Sequence, residues 1–209
     1  MKLSLPALLA LLLLGTIFTG CQSGGDSSAN VWRRPDYFGG PKKSVAVAVL
    51  AYRSEVRREL EDTLVAQLRQ QGVNARATYP LIDTQTIVAN KAAAVERAKA
   101  LGVQAVLAVR MVDRDTLKVV QFSSGNNGKT LAPWQNWFEF FTVPSAFATN
   151  PEMAQPGNVI GAQATFFESP SGTLLWSATF TQKVGASPDQ SRQLASALVA
   201  KLRSAALIP

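Results

Sequence analysis

The sequence predicts an α/β fold in which helices pack mainly on one face of a mixed β-sheet. Three observations lead to this prediction. Two continuous apolar runs, at residues 44–52 and 103–112, have the length and composition of strands buried on both faces. Helical patterns separate these runs, as in parallel strands joined by crossovers. A strong hairpin signal at residues 169–172 and a final helical pattern follow towards the carboxyl terminus.

The predicted elements alternate in the first half of the domain and pair in the second. In order, they are strand 44–52, helix 55–71, strand 73–79, helix 91–101, strands 103–112, 116–122, 159–167 and 173–184, and helix 187–206. The order is a β-α-β-α-β-β start, a C-terminal β-hairpin and a closing helix. We therefore expect one domain over residues 44–209, with the helices mainly on one face of the sheet.

The first predicted helix is amphipathic, because Leu60, Leu64 and Leu68 recur every four residues. Ser54 is placed to cap its amino end, and Gly72 is placed to end it. These signals predict a helix that packs one apolar stripe on the sheet.

Two pairs of opposite charge lie four residues apart on the same helix. They are Arg57 with Glu61 and Arg58 with Asp62. We predict both on its outer face, where such pairs contribute a few tenths of a kcal/mol.

The closing helix begins with a capping box formed by Ser187, Pro188 and Gln190. Its predicted core stripe consists of Leu194, Ala197, Leu198, Leu202 and Ala205. This stripe predicts that the closing helix also packs on the sheet.

The amino terminus has the layout of a secretory signal. Lys2 precedes an apolar core at residues 3–18, and small residues stand before Cys21, the only cysteine. A membrane-spanning helix needs about 20 apolar residues, whereas this run is shorter and contains Pro6. We predict removal of residues 1–20, with an ordinary cleaved signal or a retained anchor as the alternatives.

Residues 21–43 are rich in Gly, Ser, Asn and Pro, and we expect them to form a flexible basic tether. The cations of this segment are Arg33, Arg34, Lys42 and Lys43. They would attract lipid headgroups or an anionic wall polymer. A solvated linker explains the same residues equally well.

Regular patterning fails at residues 123–157, which form an insertion rich in aromatic residues and proline. Its densest aromatic cluster is Trp134, Trp137, Phe138, Phe140 and Phe141. One interpretation folds this segment back over the sheet. The other leaves it partly exposed as a surface for a partner or for self-association.

Composition excludes several classes of chemistry. Histidine is absent, and the one cysteine lies in the signal region, so the usual zinc, copper and iron sites and histidine-dependent nucleophiles cannot be built. We predict no metal, no cofactor and no evident small-molecule substrate. The net charge of +7 favours anionic surfaces, but no nucleic-acid-binding motif is present.

Catalytic motifs also fail. Residues 125–130 (GNNGKT) end like a phosphate-binding loop, but Ser123 replaces its first glycine and Pro133 prevents the helix that should follow. Asp113 and Asp115 lie on one face of a strand end. Two carboxylates are too few ligands for a persuasive cation site. We therefore expect no enzymatic activity.

Residues 19–21 (TGC) resemble the processing site of bacterial lipoprotein signals. The resemblance implies lipidation of Cys21 on sulfur, cleavage before it and acylation of the new amino group. Gln22 follows, and not the aspartate associated with inner-membrane retention in enterobacterial lipoproteins. The resemblance therefore implies the periplasmic face of the outer membrane.

The domain resembles a loose group of small bacterial envelope lipoproteins, including the TolB N-terminal domain and the curli-assembly and penicillin-binding-protein-activator lipoproteins. The residues that carry this resemblance are 45–50 with the helix up to Gly72, 98–107 (AKALGVQAVL) and 168–177 (ESPSGTLLWS). These motifs are structural, so they imply a fold and no catalytic residues.

Three hypotheses follow for the function. The first is a lipid-anchored, non-enzymatic binding protein that supports assembly or maintenance of the cell envelope. The second is a self-assembling structural lipoprotein. The third, weakest hypothesis is a histidine-free hydrolase of wall polymer that uses Asp113 and Asp115.

Overall fold

Six strands and three helices make up the described part of the chain in a computed structural model. The structure describes residues 28–51, 53–83, 86, 90–112, 161–169, 171–180 and 188–209. In chain order the elements are β1 (Ser28–Arg33), β2 (Ser44–Leu50), α1 (Ser54–Gln70), β3 (Asn74–Ala77), α2 (Lys91–Ala100), β4 (Ala105–Val112), β5 (Gly161–Glu168), β6 (Leu174–Phe180) and α3 (Pro188–Ser204).

The strands form one mixed sheet in the order β1-β6-β5-β4-β2-β3. β2 pairs in parallel with both β3 and β4, whereas β4-β5, β5-β6 and β6-β1 are antiparallel pairs. This confirms the predicted α/β class, with crossovers first, then the hairpin β5-β6 and a closing helix.

The main core lies between one face of this sheet and the helices α1 and α3. Val45, Val47 and Val49 alternate along β2 towards these helices and are fully buried. The helices contribute Leu60, Leu64, Leu68, Leu194, Leu198 and Leu202, all with no exposed surface. Burying one leucine side chain contributes about 1.5–3 kcal/mol, so this layer dominates the stability of the fold. The leucines of both predicted stripes are thus confirmed as core residues.

A smaller cluster lies on the opposite face of the sheet, where Ala46, Val103 and Val106 pack with Leu101 at the end of α2. The crossovers β2-α1-β3 and β3-α2-β4 run in opposite directions along the sheet. Because parallel crossovers are right-handed, their helices belong on opposite faces. Two of the three helices therefore share one face, in agreement with the prediction.

The helix ends follow the sequence signals in part. Gly72 and Gly102 follow α1 and α2 with φ of +77° and +62°, a conformation that favours glycine. The predicted Ser54 cap is wrong. Arg53 occupies the cap position without a side-chain hydrogen bond among the described residues, and Ser54 Oγ hydrogen-bonds Glu55 Oε1 at 3.2 Å instead.

The prediction of a flexible tether does not hold for the described residues 28–43. Ser28–Arg33 form the edge strand β1, which pairs with β6 from Ser28↔Phe180 to Arg33↔Trp176. The pairing joins segments about 150 residues apart, which local composition does not reveal. The sheet therefore includes residues before the predicted domain boundary at residue 44.

Several predicted features lie outside the described residues. They are the lipidation site Cys21, Asp113 and Asp115, strand 116–122, the insertion 123–157 with its aromatic cluster, and the cap at Ser187. Within the described residues, no helix has the length and apolar character needed to cross a bilayer.

Candidate functional site

The pair Arg57–Glu61 is buried, so the prediction that it lies on the outer face of α1 is wrong. Its side chains are 3% and 0% exposed, and Arg57 Nε donates to Glu61 Oε1 at 2.8 Å. The same carboxylate accepts from the backbone N–H groups of Val49 at 3.0 Å, Thr78 at 2.6 Å and Tyr79 at 2.8 Å. Glu61 thus joins the diverging carboxyl ends of β2 and β3.

Arg57 ties the loop after β3 to the same cluster. It donates to Thr78 Oγ1 at 3.2 Å and to the carbonyl oxygen of Ile82 at 2.7 Å. Hydrogen bonds within the protein occupy both charged groups, so this cluster stabilises the fold and does not serve as a reactive site.

The predicted cations Arg33, Arg34, Lys42 and Lys43 are brought to one edge of the sheet, where the parallel strands have their amino ends. Arg33 ends β1, and Arg34 N–H donates to Leu175 O at 2.8 Å. Lys42 N–H donates to Leu207 O at 2.8 Å, and Lys43 O accepts from Asn74 N–H at 2.7 Å. The segment therefore follows the sheet edge from β1 to β2.

Two more cations belong to this edge because both long helices end there. Arg69 and Arg203 stand in the last turns of α1 and α3, and both are exposed. We call the set Arg33, Arg34, Lys42, Lys43, Arg69 and Arg203 the basic end. Arg69 and Arg203 also stabilise their helices, since cations are favourable at helix carboxyl ends.

Local contacts hold two members of the basic end in place. Arg34 Nε donates to Leu174 O at 2.8 Å, and its Nη1 lies 3.4 Å from Asp36 Oδ1. Lys42 Nζ lies 2.6 Å from Glu168 Oε1 and 5.4 Å from the centre of the Tyr37 ring. Burial alone lowers the pKa of Lys42, but the bonds to Glu168 and Tyr37 raise it above the ordinary 10.5.

Arg33 and Lys43 differ from these two because their side chains are exposed. Lys43 is fixed through its backbone, whose N–H donates to Gln104 Oε1 at 2.8 Å. The rigid backbone thus presents two solvated cations, an arrangement suited to a polyanion and not to a single enclosed ion.

A polar groove of about 690 Å³ lies between α1 and α3. It is lined by Gln67, Gln70, Gln71, Ser196, Val199, Ala200, Arg203 and Ser204. Its amides and hydroxyls offer hydrogen-bond donors and acceptors. Arg203 also belongs to the basic end, so the groove meets the basic end at the last turn of α3.

Four of the six cations of the basic end were predicted from the sequence, whereas Arg69 and Arg203 were not. Basic residues in a last helical turn were the available signal. Groups of three or more acidic, cysteine or histidine side chains able to hold a metal ion are absent from the residues that the structure describes.

No protein-family model matches the chain, and no curated protein is significantly similar to it. Two solved structures of the PelC dodecamer from Paraburkholderia phytofirmans, one of them of a variant, are each 17% identical to this chain. They cover 86% of this chain and 99% and 98% of their own, with TM-scores of 0.42 and 0.41. Similarity at this level carries no conclusion about function.

Proposed function

We propose that this chain is a lipid-anchored protein of the bacterial outer membrane, facing the periplasm, that supports assembly or maintenance of the cell envelope. It acts by binding and not by catalysis. One observation carries the proposal: a signal-like segment ends in the sole cysteine, Cys21, and the first described strand begins only seven residues later at Ser28.

This spacing limits the distance between the domain and the anchor. Seven extended residues span at most about 25 Å. Ser28 lies at the carboxyl edge of the parallel strands, whereas Arg33 lies at the opposite edge, about 16–17 Å further along β1. The basic end therefore lies at the edge of the sheet opposite the anchored residue Ser28, a placement that favours an anionic wall polymer over the headgroups of the anchoring leaflet.

Replacing Cys21 by serine tests the anchor. We expect wild-type protein in the membrane fraction of the bacterial envelope and Cys21→Ser in the soluble periplasm or in uncleaved precursor, because serine has no thiol to acylate. Intact-mass measurement should show the added acyl chains on the wild type alone. An unmodified thiol on membrane-extracted wild-type protein would refute the proposed anchor.

Removing two exposed cations tests the basic end. Each cation near an anionic surface contributes about 1 kcal/mol, so Arg33→Ala with Lys43→Ala should weaken the affinity for insoluble peptidoglycan, measured by co-sedimentation, about 30-fold. Arg53→Ala with Arg58→Ala, an exposed pair near the amino end of α1, is the matched control with the same change of charge. Equal losses in both variants would show that net charge matters and the basic end does not.

Self-assembly is a second candidate function, which the open edge of the sheet favours. β1 pairs only with β6 in the described sheet, and Val31 on it is 48% exposed. Unpaired edge strands are templates for pairing with another chain. A mass measurement that finds only monomer at high protein concentration would exclude this candidate.

A further inference from the structure

The loop at residues 34–43 joins β1 to β2 by crossing the edge of the sheet at the basic end. Since β6, β5 and β4 lie between these two strands, the loop spans four strand spacings, or about 19 Å. On the way, Arg34 Nε donates to Leu174 O at the start of β6. Lys42 Nζ lies 2.6 Å from Glu168 Oε1 at the end of β5. The loop is therefore attached to the sheet on both sides of its middle.

Tyr37 and Gly39 fix the middle of this loop. Tyr37 packs against the main core, and its Oη donates to Gly40 O at 3.0 Å. Gly39 approaches the Tyr37 ring so closely that a Cβ at this position would collide with it, so the loop requires glycine here. Phe38 stands between these two residues, and its backbone is thus held in place.

Phe38 itself is 93% exposed, so water reaches both faces of its ring. Single exposed apolar side chains are common on proteins, and Val31 and Leu81 are 48% and 52% exposed. Phe38 differs because the fixed loop keeps its ring off the surface of its own domain, where burial would be favourable. A ring held in this position is available to a partner.

The charges around Phe38 select an extended polyanion as this partner. Arg33 and Lys43 stand at the two ends of the loop, and both side chains are exposed. The one carboxylate between them, that of Asp36, lies 3.4 Å from Arg34 Nη1. An extended polyanion can reach a cation on either side of Phe38, whereas a small ion cannot span the loop.

The Phe38 ring narrows the choice among polyanions. The face of an aromatic ring is its negative side, and the C–H groups of a sugar ring are weakly positive, so the two rings pack face to face. A lipid bilayer also takes up apolar side chains beside cations, but the basic end lies at the sheet edge opposite Ser28. A protein partner requires a larger contiguous apolar patch than one ring.

We propose that Phe38 stacks on a sugar ring of an anionic glycan whose acidic groups bind Arg33 and Lys43. This inference rests on the proposed function, in which the basic end binds an anionic wall polymer, and it assigns the contact with the sugar to Phe38. Stacking supplies a selectivity for sugar that the cations lack, because cations attract any polyanion.

Co-sedimentation with insoluble peptidoglycan tests the role of Phe38. The mature polypeptide, residues 21–209, is used with Cys21→Ser so that acyl chains do not contribute. Phe38→Ala should weaken the affinity about three- to tenfold, because packing on one face buries about half of the ring. Phe38→Leu should weaken it as much, since leucine is apolar but not planar, whereas Phe38→Trp should preserve it. All three should keep the wild-type Tm, because the side chain at this position is exposed.

Leu81→Ala is the matched control. Leu81 is an exposed apolar residue in the loop after β3, at the edge of the sheet opposite the basic end. Its replacement also removes exposed apolar surface, but it should leave the affinity for peptidoglycan unchanged.

The outcomes separate this inference from the proposed function. A loss of affinity in Arg33→Ala with Lys43→Ala, but not in Phe38→Ala, would overturn the stacking contact and keep the basic end. No binding by the unsubstituted basic end and loop would refute both. Full affinity in Phe38→Leu would overturn stacking. Phe38-dependent binding to vesicles of phosphatidylethanolamine and phosphatidylglycerol, without such dependence on peptidoglycan, would assign the ring to a bilayer and also overturn it.

Discussion

Replacing Glu61 by glutamine should destabilise the fold by about 3–5 kcal/mol, the usual cost of breaking a buried ion pair. Glu61 is fully buried, and its carboxylate accepts from Arg57 and from the N–H groups of Val49, Thr78 and Tyr79. Glutamine replaces one acceptor oxygen by an NH2 group, which must face one of these donors. The change also removes the negative charge that Arg57 Nε faces at 2.8 Å.

Chemical denaturation of the purified protein measures this effect, and Asp62→Asn is the matched control. Asp62 is the next residue of α1 and is exposed, so its replacement should cost at most about 0.5–1 kcal/mol. Equal losses for the two variants would contradict the buried arrangement.

A double variant shows what the carboxylate contributes beyond its charge. In many proteins, replacing both partners of a buried ion pair by apolar residues is nearly neutral or stabilising. Here Arg57→Met with Glu61→Leu should remain destabilised, because the backbone N–H groups of Val49 and Tyr79 would lose their acceptor, whereas that of Thr78 keeps Val47 O at 3.0 Å. Full recovery of stability would mean that these backbone bonds contribute little.

Residue spacing predicted α1 but not which of its charges are buried. Arg57 and Glu61 continue the line of Leu64 and Leu68 along the helix, so one signal of burial was present. Burial of the pair also requires a contact with residues that are distant along the chain. The loop that contains Thr78 and Ile82 must close over the pair, and its position depends on the crossover to β3. Arg58 and Asp62, one residue further on, lack this cover.

The burial of the polar residues on β5 was missed for a similar reason. Gln163 and Thr165 alternate with Ala164 and Phe166 on β5, a pattern typical of a strand with one solvated face. The structure buries both faces. Alternation shows which residues share a face of the sheet, but burial of that face depends on tertiary structure. The apolar strands β2 and β4 left no such ambiguity, since they lack a polar face over most of their length.

The second large loss of stability is expected from a proline in the edge strand β1. Trp32→Pro should destabilise the fold by about 1–3 kcal/mol more than Trp32→Ala, because proline also removes a ladder hydrogen bond. Arg34 N–H donates to Leu175 O, so this pair is hydrogen-bonded. Hydrogen-bonded and non-hydrogen-bonded pairs alternate along an antiparallel ladder. The N–H of Trp32 must therefore face Ser177, its partner in register.

Val31 supplies the control for this prediction. Its N–H points away from β6, since the directions alternate along the strand. An edge strand tolerates proline at such a position, so Val31→Pro should cost less than about 1 kcal/mol. The denaturation midpoints of the three variants and the wild type show whether β1 is paired with β6. A flexible tether at residues 28–43 would leave all four equally stable, whereas a paired β1 requires Trp32→Pro to unfold first.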